Sequence, residues 1–224
     1  MIPLRDENPV SIVPVVSWGL IAACIGIFVF QVSLGAEGFN RLIFGLGVIP
    51  AVLLGHAHLP PEIELVPPLV TVFSSMFLHG GWLHLAGNML YLWIFADNIE
   101  DRMGPVRFLL FYLACGAGAV FAQALPAPQS VVPMVGASGA ISGVLGAYLL
   151  LFPRARVLVL VPFGFILQVI RLPAVWVLGL WFLVQLLSSL AAPEAEGGVA
   201  FRAHLGGFIA GLLLTPLFLL GRSR

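Results

Sequence analysis

The sequence contains no lysine; its ten basic residues are all arginine, its acidic residues also number ten, and charged residues make up only 9% of 224. A net charge of +0 with no basic run excludes nucleic acid or an anionic surface as the main partner, so electrostatics gives no functional lead. Cysteine is scarce too. The two present, Cys24 and Cys115, both sit inside apolar runs, where free cysteine behaves as a small hydrophobe, and no disulfide framework is implied. Internal repeats and low-complexity segments are absent, and nothing marks off a separate soluble domain. One domain over residues 1–224 is expected.

Apolar residues fill the space that charge leaves. At 60% hydrophobic composition and a mean hydropathy of +1.08, the chain lies outside the range of soluble domains and reads as an integral multi-pass membrane protein. A bilayer core takes about 20 apolar residues per helix. That length picks out Val10 to Val32, Trp82 to Ile99, Val106 to Leu125, Val135 to Phe152, Pro173 to Leu190 and Phe201 to Leu220. The first run is too long for a signal-peptide core and is preceded only by Arg5, offset by Asp6 and Glu7, so it reads as a retained helix. Val157 to Ile170 is shorter and broken by Pro162 and Gly164, which predicts a hairpin or an interfacial segment.

Arginine counted by loop decides between six and seven spans. Six spans with an internal N-terminus place Arg5, Arg102, Arg107, Arg154, Arg156, Arg171, Arg222 and Arg224 inside and leave Arg41 and Arg202 outside, eight against two. Treating the short stretch as a seventh span gives six against four. The expectation is therefore an all-α bundle of six transmembrane helices with both termini cytoplasmic. Its long first outer loop, Ser33 to Gly81, is interrupted by Pro50, Pro60, Pro61, Pro67 and Pro68. Such a loop is too long for a connector and too broken to span, which predicts a partly structured element at the membrane surface.

Polar side chains inside spans are costly, and each is a functional candidate. Asp97 and Glu100 fall near the inner end of the second span, beside Asp101, Arg102 and Gly104-Pro105, and read as a helix end with satisfied ion pairs. His84 and Asn88 lie four residues apart on one face, within His79-Gly-Gly-Trp-Leu-His84-Leu-Ala-Gly-Asn88. The fourth span opens Gly136-Ala-Ser138-Gly139-Ala-Ile-Ser142-Gly143, and the sixth opens Ala203-His204-Leu-Gly-Gly207 with Gly211 following. Taken singly, each has a plainer reading: interhelical hydrogen bonding for the histidines and asparagine, close helix packing for serine among glycines.

Topology joins them. Even-numbered spans of a chain that starts inside all run inward from the outer face, so His84, Asn88, Ser138 and His204 share one side. At 1.5 Å rise per residue all four lie within about 10 Å of their helix starts. Small residues on spans four and six then bring the backbones near enough for Ser138 Oγ to reach an imidazole nitrogen of His204. A neutral imidazole can take the serine proton and later protonate the leaving amine. Asn88, His84 and the backbone N–H of Ser138 are suitable donors to the oxyanion of a tetrahedral intermediate, helped by the helix dipole. Asp97, about 20 Å deeper than His84, cannot orient His204. Unless Glu194 or Glu196 folds back, the residues permit a dyad rather than a triad.

These motifs, in this order and topology, resemble the rhomboid intramembrane proteases over nearly the whole chain. The resemblance implies Ser138 as nucleophile, His204 as base, His84 and Asn88 in the oxyanion hole, and a structural acid at Glu100. It implies single-span transmembrane proteins as substrates, cut in or near the outer part of their helix, and neither metal nor cofactor. Two departures stand out. Ser142 occupies the position, four after the nucleophile, where some members carry an aromatic that packs on the catalytic histidine, and the first outer loop has no Trp-Arg pair.

Two other readings compete. A catalytically inactive relative would bind membrane proteins and assist their folding or degradation, but such relatives typically lack the serine or histidine. A transporter or channel would spread its polar residues along a path, whereas here they cluster near one face. Arginine without lysine suits a GC-rich bacterial genome, so a bacterial cell membrane is the expected location.

Overall fold

The computed structural model describes residues 1–163, 166–191 and 200–221. Helices stand at each of the six apolar runs: α1 (Val15–Ser33), α5 (Trp82–Met103), α6 (Pro105–Ala124), α7 (Ser138–Leu151), α8 (Ala174–Ala191) and α9 (Phe201–Leu219). Between α1 and α5 lie α2 (Gly35–Leu46), α3 (Pro50–Leu53), α4 (Pro68–Ser74) and a 3-10 turn, Ser75–Phe77. Proline and glycine place several boundaries. Pro105 opens α6 where its missing N–H costs nothing, and Gly104 takes the positive φ of 78° that separates α5 from α6.

Four helices, α1, α6, α8 and α9, are long and apolar enough to cross a bilayer. A fifth span results if α5 is counted with α4 and the 3-10 turn, which meet it at a bend of 81°. Of the six expected spans, the other two fall short for physical reasons. α5 is long enough, but His84, Asn88, Asp97 and Asn98 lower its hydropathy. α7 has only 14 residues, about 21 Å of helix, because residues 135–137 run as non-helical chain before Ser138.

The expectation of an all-α fold needs correction. Three strands, β1 (Ile2–Asp6), β2 (Arg156–Phe163) and β3 (Ile166–Pro173), form an antiparallel sheet in the order β1-β2-β3. The expected hairpin is thus present, and Val157 and Val159 turn fully buried side chains toward the helices. β1 was not anticipated, since its pairing of Ile2 with Leu160 joins segments far apart in sequence. Tyr148 Oη donates to Asp6 at 2.6 Å and ties that strand to α7; burial pushes the Asp6 carboxyl above its ordinary range.

At the end of α5, where ion pairs were expected, Glu100 and Asp101 accept hydrogen bonds from the start of the chain. Glu100, fully buried, accepts from the backbone N–H groups of Val16 and Ser17 at 2.9 and 2.8 Å and from Ser17 Oγ at 2.7 Å. Those N–H groups open α1 and have no partner within their own helix, so a carboxylate there caps the helix and meets its dipole. Asp101 likewise accepts from Ser11 N and Oγ.

α9 packs chiefly against α6 and α7. A Cβ on Gly207 would overlap the carbonyl oxygen of Gly139, one on Gly211 that of Gly143, and one on Gly206 the side chain of Ala122. The small residues noted in the sequence therefore face each other in matched pairs. Gly211→Val is expected to destabilise the protein by about 1–3 kcal/mol through overpacking. Gly19→Val, on a glycine with nothing within 4 Å of its Cβ position, is the control expected to leave the melting temperature in detergent unchanged.

Candidate active site

The segment that delivers Ser138 is held on both sides before α7 begins. Val48 and Met134 exchange backbone hydrogen bonds of 3.0 and 2.7 Å, and Gly136 N–H donates to Ser75 O at 2.9 Å. Ser74 Oγ donates to Leu46 O at 2.7 Å. The loop between α1 and α5 thus acts as a brace, more than the surface element its sequence predicts. Gly136 has a φ of 124°, and a Cβ there would meet His84 Nε2 at 2.6 Å and Asn88 Nδ2 at 3.6 Å. No side chain fits, so both polar atoms come to lie against the backbone two residues before Ser138.

Gly80 N–H donates to His84 Nδ1 at 3.3 Å. With that nitrogen accepting, the proton of a neutral His84 ring sits on Nε2, the atom beside Gly136. Asn88 Nδ2 is buried and has no hydrogen-bond partner among the described residues. Two donors therefore stand beside the start of α7. Ser138 is the first residue of that helix, and its carbonyl accepts from Ser142 Oγ at 2.6 Å.

His204 enters from α9, whose start is held by Gln123 Oε1 accepting from Ala203 N–H at 3.2 Å. Its Nε2 lies 2.8 Å from Ser138 Oγ. Its Nδ1 lies 2.7 Å from Gln185 Oε1 on α8, and the Trp181 ring lies beside the imidazole with centroids 6.0 Å apart and planes inclined at 34°. An open cavity of ≈1300 Å³ is lined by His84, Asn88, Ser138, Trp181 and His204.

All four residues singled out from sequence meet in this cavity. Gln185, Trp181 and Gln123 were missed. Gln185 did carry a signal, being the one carboxamide in the apolar run that forms α8. Glu194 and Glu196 lie outside the described residues. Among the described residues no three His, Cys, Asp or Glu side chains converge as a metal would need.

A rhomboid domain matches residues 67–221, more than half of the chain. The chain belongs to the rhomboid family. It is 32% identical over 186 residues to Rhomboid protein 1, mitochondrial, of Saccharomyces cerevisiae, which covers 79% of this rhomboid and 50% of the yeast protein. It is 34% identical over 140 residues to Rhomboid protease GluP of Bacillus subtilis, covering 62% of this chain and 24% of that one. Rhomboid-like protease 5 of Toxoplasma gondii is 35% identical over 147 residues, 63% of this chain and 15% of its own. The chain thus spans half the length of these relatives or less. Rhomboids are integral multi-pass membrane proteins and generally serine proteases, though some members are inactive.

The geometry at Gly136 can be tested separately from chemistry. Gly136→Ala would drive a methyl group toward His84 Nε2 and force an unfavourable φ, at a cost of about 1–3 kcal/mol. A melting temperature several degrees below wild type in detergent is expected.

Proposed function

We propose that this rhomboid is an intramembrane serine endopeptidase that hydrolyses peptide bonds in or near the transmembrane segment of single-span membrane proteins. The observation that carries the reading is the 2.8 Å approach of Ser138 Oγ to His204 Nε2, from two helices, at the wall of an open cavity. His204 Nε2 takes the hydroxyl proton as Oγ attacks the scissile carbonyl, and returns it to the leaving amine. The acyl-enzyme is then hydrolysed by water activated at the same nitrogen. Negative charge on the carbonyl oxygen is met by Asn88 Nδ2–H, His84 Nε2–H and the Ser138 backbone N–H, with the N-terminal end of α7 adding its dipole.

The proposed arrangement is a single domain of six spans with both ends inside and the site near the outer face of a bacterial cell membrane. The arginine distribution and the lysine-free composition support it. In a proteoliposome assay with a model transmembrane substrate, Ser138→Ala and His204→Ala are each expected to lower kcat at least 10³-fold. Asn88→Ala should cost about 10²-fold in kcat with little change in KM. Ser138 is the expected fluorophosphonate adduct. Cleavage undiminished by either dyad substitution would overturn the dyad, whereas no cleavage by the wild type would leave the inactive-relative reading standing. Orientation is checked independently: a cysteine at His58 should react with impermeant maleimide from outside intact cells, and one at Arg154 only after permeabilisation. Cys24 and Cys115 are buried and silent.

A further inference from the structure

We propose that Gln185 is a positioning residue that holds His204 in the tautomer and orientation that Ser138 requires, with Trp181 as the wall against which the imidazole rests. The proposal deepens the dyad reading and rests on it. A neutral imidazole carries one N–H. To accept the Ser138 proton at Nε2, it must carry its own proton on Nδ1. Gln185 Oε1, 2.7 Å from Nδ1, is an acceptor placed for that proton. A carboxamide oxygen there selects the Nδ1–H form, and as Nε2 is protonated its dipole faces the new positive charge.

Three further observations agree. Trp181 and Gln185 are four residues apart on α8, so one helix face presents both. Ring contact and hydrogen bond together fix the plane of His204 and its rotation within that plane. Ser142 does not take this role: its buried hydroxyl donates to the carbonyl of Ser138, and the partner of His204 Nδ1 is Gln185. The aromatic contact with His204 comes from α8 rather than α7. A glutamate would accept the same hydrogen bond, but a lone charge in a membrane helix is far costlier than a neutral amide. The titratable and charged groups that share the cavity with His204 are His84 and Tyr91 from α5 and Arg202 from α9, while its Nδ1 partner from α8 is neutral.

The test uses the full chain in proteoliposomes with the same substrate. Gln185→Leu keeps the bulk and removes the acceptor; kcat is expected to fall about 10- to 100-fold with KM within twofold of wild type, and fluorophosphonate labelling of Ser138 to slow in parallel. Gln185→Glu restores an acceptor and adds negative charge beside the imidazole. It is expected to recover much of the lost kcat and to move the acid limb of the pH–rate profile up by about one unit. A purely structural role for Gln185 would change melting temperature or KM and leave that limb in place. Wild-type kcat in Gln185→Leu, or an unmoved acid limb in an active Gln185→Glu, overturns the positioning role while Ser138→Ala and His204→Ala stay inactive. If Ser138→Ala still cleaves, the dyad itself fails, and this inference with it. Should Gln185→Leu fail to fold, the Gln185→Glu profile decides alone.

Discussion

Backbone contact between α7 and α9 sets the distance on which the site depends. Gly207 and Gly211 lie directly on the carbonyl oxygens of Gly139 and Gly143, an approach that no larger residue permits. In lipid there is no hydrophobic drive to bring helices together, so close van der Waals packing at small residues is a main source of association. The same contact carries Ser138 and His204, one at the start of each helix, to 2.8 Å. Association and alignment are thus a single act of packing. The helix that carries Ser138 needs little length of its own, because α6 and α9 enclose it.

Around that contact the chain spends its polar groups sparingly and pairs most of them. Glu100 takes up the unpartnered N–H groups at the start of α1, and Gln123 receives an N–H at the start of α9. Gln31 exchanges hydrogen bonds with the backbone of His79, which steadies the turn before α5. Each bond lies at a helix end, where the backbone leaves groups that lipid cannot satisfy. The polar residues that reduce the hydropathy of α5 are therefore the ones that hold the bundle and face the cavity. That helix falls short as a simple span because it serves two environments.

Much of this was legible from residues alone, for reasons that can be named. Apolar length located the helices, and serine and histidine beside regularly spaced glycines pointed to both the packing seam and the Ser138–His204 contact. The shortness of the stretch, its breaks at Pro162 and Gly164 and its β-branched flanks left a hairpin or an interfacial segment, and β2 and β3 pair as a hairpin would. What stayed hidden depends on contacts between distant segments. Nothing local to Ile2–Asp6 announces a strand, because its partner lies some 150 residues on. The brace from Val48 to Met134 is invisible for the same reason. Gln185 is a different case, a lone amide in an apolar helix, whose importance shows only when the helix is set beside His204.

A buried amide N–H without an acceptor is destabilising by about 1–3 kcal/mol, and more conservative side chains could fill the place of Asn88. Its Nδ2 nevertheless remains without a partner among the described residues, beside Gly136 and within the cavity that Ser138 enters. His84 is arranged to the same end, since its Nδ1 is engaged by Gly80 and its Nε2 is left toward the same backbone. Donors held in place and left unsatisfied in the ground state can form their strongest bonds when an oxyanion appears, which is the condition for lowering a barrier rather than merely binding. Buried polar atoms without a partner among the described residues also occur at Asn8, His79, Asn98 and Tyr112; at Asn88 that stability cost falls where the proposed chemistry would use the donor.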